Sequence, residues 1–216
     1  MQNETTTDSE NTSLRETKVN PFPVVAIGAS VGGLKAISAL LKNVSAKTGM
    51  AFIFVQHLSP THKSLLTTLL SKITEMKVQD VEDMEKMVPD NVYVIPFDKG
   101  IEVTDGHIKL IPRSRRGKPV SIDILFSSLA ETHKDNVVGV VLSGNLDDGT
   151  EGLKAIKNAG GITFAQDDSA DADSMPSSAI ASGTVDFILS AEEIGQELSK
   201  INKNGILRRI ASIPNT

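Results

Sequence analysis

The sequence predicts an α/β fold: a doubly wound, mainly parallel sheet with helices on both faces and a small antiparallel hairpin appendage. Three observations lead there. Apolar runs of strand length alternate with stretches of helical periodicity in both halves of the chain. The runs are short and continuously apolar, as strands covered on both faces must be. In the middle, the rhythm breaks into short alternating runs joined by Asp-Gly, Lys-Gly and Pro turns.

Residues 1–20 are rich in Thr, Ser, Asn and Glu without apolar periodicity and are expected to be a disordered lead or linker. From Pro21 the pattern reads strand Val24–Ala29, helix Leu34–Lys42, strand Met50–Val55 and helix Lys63–Ile73, the last with Leu65, Leu66, Leu69 and Leu70 as its stripe. Short strands follow at Val92–Ile95, Ile101–Val103 and His107–Ile111, with Asp105-Gly106 as the hairpin turn. The alternation resumes with a helix at Ile122–Thr132, a strand at Asn136–Ser143 and a helix at Gly149–Asn158. It closes with a strand at Gly161–Ala165, a helix at Ser177–Ser182, a strand at Val185–Leu189 and a helix at Glu192–Ile201. The domain is thus expected over 21–202, with 203–216 as a tail or linker that reads as if cut from a longer protein.

Composition narrows the function classes. The chain has 216 residues, 39% of them hydrophobic, enough for a full core in one domain. It has no cysteine, which excludes disulfides, thiolate catalysis and cysteine-bound zinc. No apolar run approaches the ~20 residues of a membrane span, and the amino terminus does not read as a signal peptide; a cytoplasmic location is expected. A net charge of -5 and a single aromatic ring larger than Phe, one Tyr, argue against nucleic acid. The basic cluster Arg113, Arg115, Arg116 and Lys118 reads as a solvated loop.

The stretch Gly28-Ala29-Ser30-Val31-Gly32 places a serine between a strand and a helix, where open α/β sheets hold their ligands. It fits the G-x-S-x-G nucleophile elbow. The dinucleotide fingerprint fits less well, because it needs a glycine at Ser30 and an acid after the second strand, which ends in Gln56-His57. All parallel strands open their carboxyl ends onto one edge. Ser30, His57 and the turn Ser143-Gly144-Asn145-Leu146-Asp147-Asp148-Gly149 can therefore meet there as nucleophile, base and acid. Taken singly, Ser30 and Asp148 also suit helix caps and His57 a loop. His62 is an alternative base, expected to face solvent. His133 and the acids Asp167, Asp168, Asp171 and Asp173 lack the spacing of a metal site.

Together, Gly28-Ala29-Ser30-x-Gly32-Gly33, Gln56-His57, the Ser-Gly-x-x-x-Asp-Gly turn at 143–149 and Met175-Pro176 resemble the catalytic domain of chemoreceptor protein-glutamate methylesterases of the CheB type. The resemblance runs from about Val24 to Leu198. It implies Ser30 as nucleophile, His57 as base and Asp148 as orienting acid, with Asp147 its rival. Val31, Gly144, Asn145 and Leu146 fall in the oxyanion and substrate loops, and Met175 in a loop expected either to pack or to contact substrate. It implies hydrolysis of glutamate γ-methyl esters, and in some members deamidation of glutamine, on the cytoplasmic helices of a receptor. No metal or cofactor and no membrane insertion are implied, and a fused methyltransferase is an expected partner. Val31 departs from the small polar residue or Ala usual after the nucleophile. Leu146 departs from a loop glycine, where positive φ and a β-carbon conflict. Two further readings remain open: a catalytically weak or inactive module binding receptor or methyltransferase, and a nucleotide-binding domain.

Overall fold

The computed structural model describes residues 22–57, 65–96, 99–112 and 122–201. In chain order it contains β1 (Val24–Ala29), α1 (Gly33–Lys42), β2 (Ala51–Gln56), α2 (Leu66–Leu70), β3 (Lys77–Asp80), β4 (Glu85–Lys86) and β5 (Asn91–Val94). Next come β6 (Lys99–Thr104), β7 (His107–Pro112), α3 (Ile122–His133), a 3-10 turn at Lys134–Asn136 and β8 (Val137–Val141). The chain then forms α4 (Thr150–Asn158), β9 (Ile162–Gln166), α5 (Ser174–Ala181), β10 (Phe187–Leu189) and α6 (Ala191–Lys200).

Seven strands form one sheet in the order β10-β9-β8-β1-β2-β5-β3, with every pairing parallel. β4, β7 and β6 form a separate antiparallel sheet. The expected doubly wound sheet and its antiparallel appendage are both present. From β1 the chain builds one side of the sheet through β2 and β5, and the other through β8, β9 and β10. The order therefore reverses between β1 and β8, the switch point where such sheets bind ligands.

The pleat divides the core. Val25 and Ile27 of β1, with Phe52, Phe54, Val138 and Val140, pack under α1 and α6. Val24 and Ala26, with Ala51, Ile53, Val137 and Val141, pack against α3, α4, α5 and the small sheet. All six residues of β1 are buried, which is why its sequence reads as an unbroken apolar run. Gly28 belongs to this packing: a β-carbon there would lie 2.5 Å from the Ile122 side chain, so its absence lets the start of α3 rest on the strand.

Differences from expectation have local causes. β3, Lys-Val-Gln-Asp, is an edge strand with one apolar residue, and β4 has two residues; neither carries a period to detect. α2 stops at Leu70 because the next amides shift to i-3 acceptors, Lys72 N–H to Leu69 O (3.3 Å) and Ile73 N–H to Leu70 O (2.9 Å). α5 begins at Ser174 instead of Ser177 because Pro176 lies in its first turn, where a missing N–H leaves no helical bond unmade. Residues 1–20 and 203–216, His62 and the basic cluster at 113–118 lie outside the described residues.

Candidate active site

Ser30 follows the last residue of β1 at the switch point. Its N–H donates to Ser143 O (2.9 Å), and its carbonyl accepts from Gly33 N–H (3.0 Å) and from Gln56 Nε2 (3.1 Å). The turn then passes through Gly32, left-handed at φ 79°, which is the N-cap of α1. Ser30 is therefore not the cap of that helix, and its Oγ makes no hydrogen bond among the described residues. A β-carbon on Gly32 would stand 2.5 Å from Ser143 Oγ, so this position needs glycine for both conformation and space. Ser143 is buried and joins three loops: its Oγ donates to Val31 O (2.8 Å) and accepts from Ala172 N–H (2.9 Å), while its N–H donates to Gln166 Oε1 (3.0 Å).

His57 is the next step along β2. Ala29 pairs with Gln56, and His57 N–H donates to Ala29 O (3.0 Å), so Ser30 and His57 are neighbours across two parallel strand ends. Strands so paired run about 5 Å apart. The imidazole Nε2 lies 2.8 Å from Asp148 Oδ2. That carboxylate also accepts Ile122 N–H at Oδ2 (2.8 Å) and Asp123 N–H at Oδ1 (3.1 Å). Burial opposes the charged form of Asp148, but the His57 bond and the two amides outweigh it and hold the carboxyl below its ordinary range. An ionised carboxylate only accepts, so Nε2 carries the imidazole proton and Nδ1 is the basic nitrogen. Asp148 does not cap the helix that follows it, whose N-cap is Gly149 with no side-chain bond. Asp147, in the same turn, is exposed.

The loop from Gly144 to Leu146 lies beside Ser30. Gly144 is buried, and a β-carbon on it would come 2.9 Å from Ser30 Cβ and 2.1 Å from Met175 Sδ. Gly144 N–H is engaged by Ala172 O (2.8 Å), and Met175 N–H donates to Gly144 O (2.9 Å). The amides of Val31, Asn145 and Leu146 make no hydrogen bond among the described residues. Met175 is fully buried and sits behind the loop, in line with the packing role that is one of its two expected readings. Leu146 has φ 72° and is 67% exposed; Val31 is 54% exposed.

The strand-end serine, the imidazole and carboxylate joined on the same rim, and the glycine loop beside them come with a sequence match. The sequence model described as CheB methylesterase matches residues 25–198. The chain belongs to the CheB methylesterase family. The crystal structure of the Thermotoga maritima CheB methylesterase catalytic domain superposes with a TM-score of 0.77 at 28% identity, covering 83% of this chain and 98% of that one. A Leptospira interrogans protein, provisionally named protein-glutamate methylesterase/protein-glutamine glutaminase, is 31% identical over 197 residues, 87% of this chain and 99% of its own length. The Yersinia pestis protein of the same name is 34% identical over 192 residues, but the match spans only 55% of its length.

Other residues singled out from the sequence lie elsewhere. His133 ends α3 and so stands at the amino edge of the sheet, whereas the Asp167–Asp173 loop follows β9 at the carboxyl edge. Among the described residues no group of three or more His, Asp or Glu is disposed to hold a metal, and no helix is long and apolar enough to cross a membrane. Sequence reasoning missed the roles of Gln56 and Gln166, which clamp the Ser30 turn and the Ser143 loop beside it. The only available signal was a polar amide side chain closing each of two largely apolar strands.

Proposed function

We propose that this CheB-family domain is a protein-glutamate methylesterase that hydrolyses glutamate γ-methyl esters on the cytoplasmic helices of chemoreceptors and deamidates glutamine at equivalent positions. Ser30 is the nucleophile, His57 the base and Asp148 the orienting acid. The single observation that supports this most is the 2.8 Å bond from His57 Nε2 to Asp148 Oδ2 at the rim that also carries Ser30.

With Nε2 turned to the carboxylate, Nδ1 is the nitrogen that takes the Ser30 hydroxyl proton as Oγ attacks the ester carbonyl. The carbonyl π electrons move to oxygen, and the amide of Val31 with those of Asn145 and Leu146 serve that oxyanion; each such donor is worth about 3 kcal/mol. Gly144 N–H, expected to share this task, is already occupied by Ala172 O. Collapse breaks the C–O bond, and the imidazolium returns its proton to the departing methanol. Water, deprotonated by the same nitrogen, then attacks the acyl-serine, and Oγ leaves with the proton to give the free glutamate. With glutamine the leaving group is ammonia. The reaction needs a methyltransferase, joined to this domain or separate, to supply the ester, and a receptor substrate of this kind places it in the cytoplasm.

The test is methanol release from a methylated receptor fragment. Ser30→Ala and His57→Ala are each expected to lower turnover on the order of a thousandfold or more with an unchanged circular dichroism spectrum. Full turnover in either folded variant refutes the assignment; tight receptor binding by the unaltered chain without methanol release favours a non-catalytic binding module.

A further inference from the structure

Two acids that lie 25 residues apart stand at the starts of neighbouring helices, each bonded to the backbone of the other's helix. Asp148, just ahead of α4, accepts the N–H groups of Ile122 and Asp123, the first two residues of α3. Asp123 Oδ1 accepts Gly149 N–H (3.0 Å) and Gly152 N–H (2.7 Å) at the start of α4. The first amides of a helix have no partner within it, and here four of them are satisfied crosswise by two side chains. The helices meet closely enough for this because Gly152 has no β-carbon; one would lie 2.5 Å from Phe126 Cβ and 3.1 Å from Asp123 Cα.

The Gly149 amide belongs to the peptide bond that follows Asp148. Holding its N–H fixes the plane of that peptide, and with it the direction in which Asp148 projects its carboxylate toward His57. We propose that Asp123 is a positioning residue for the ester-hydrolysing reaction: through Oδ1 it locks the Asp148–Gly149 peptide and so aims the acid that orients His57. The inference rests on the reading of Asp148 as that acid. Burial, with the nearby Asp148 charge adding to it, raises the Asp123 carboxyl to about 6. Both of its bonds to α4 are accepted at Oδ1, so its work is hydrogen-bond acceptance, which a neutral side chain of the same shape can perform.

The experiment measures kcat and KM for methanol release from a methylated receptor fragment with the full chain and its variants Asp123→Ala, Asp123→Asn, Asp123→Glu and Asp148→Asn. Asp123→Ala is expected to lose 10- to 100-fold in kcat with KM within twofold, the size of effect a misplacement of up to about 1 Å produces. Asp123→Asn, which keeps the acceptor in place, is expected to restore kcat to within about threefold of the parent. Asp123→Glu, which keeps the charge but moves the oxygen by one methylene, is expected to remain impaired and decides the matter if the alanine variant does not fold. A folded Asp123→Ala or Asp123→Glu with parental kcat overturns the proposal, as does Asp123→Asn as impaired as either. Full activity in Asp148→Asn would instead overturn the underlying assignment of the acid.

Discussion

One added methyl group at Gly144 probes the rim more sharply than deletion of a reactive group. Gly144 is not at positive φ, so alanine fits its backbone and the effect is steric. The new carbon would lie 2.1 Å from Met175 Sδ and 2.9 Å from Ser30 Cβ. Ordinary carbon contacts are about 3.5 to 4.0 Å, so the sulfur must retreat by roughly 1.5 Å and the serine by roughly 0.6 Å. The loop cannot swing aside, because Gly144 is bonded at both N–H (2.8 Å) and carbonyl (2.9 Å) to the segment carrying Met175. Ser30 is held in turn by Ser143, Gly33 and Gln56. Overpacking costs about 1 to 3 kcal/mol, and the flexible thioether absorbs part of it, so Gly144→Ala should lower stability by about 1 to 2 kcal/mol in urea denaturation. A serine displaced by half an ångström should lose on the order of tenfold in kcat. In a Met175→Ala background the two readouts separate. The methyl fills part of the void, and Gly144→Ala becomes near neutral for stability, while kcat stays depressed because the contact with Ser30 persists. Gly144→Ala with turnover within twofold of the parent would refute this account of the site's geometry.

Leu146→Gly relieves left-handed strain of about 1 kcal/mol while giving up only the covered third of the leucine side chain, so the urea midpoint should hold or rise; a loss beyond about 1 kcal/mol would contradict that balance. His133 is 2% exposed, and burial lowers its pKa to about 4. The unfolded chain then takes up a proton before the folded one does, so stability contributed by the neutral ring falls as pH drops from about 6.5 toward 4, by about 3 kcal/mol at the limit. His133→Gln should flatten that part of the stability profile; an unchanged slope in denaturation between pH 7 and 4 would show that other groups carry it.

The residues that chemistry singles out were legible because they interrupt strong patterns. Ser30 breaks a glycine turn after six buried residues, and Gln56-His57 closes the next apolar run. The 143–149 turn gathers polar groups between a buried strand and an amphipathic helix. β3 and β4 carried no such contrast, since edge strands stay polar to remain soluble. Asp123 carried none either, because an acid in the first turn of a helix is commonplace.

The chain's own order determined the alternation of strands and helices, the edge on which Ser30, His57 and Asp148 gather, and the family to which the motifs point, because periodicity and turn chemistry act over a few residues. Only the tertiary structure decided that Nε2 of His57 faces Asp148, that Gly144 spends its amide on Ala172, that Met175 lies behind the loop, and that Asp123 and Asp148 cap each other's helices. Each of these depends on a distance between residues far apart in sequence, set by how helices and loops pack across the sheet, and local preference cannot encode such a distance.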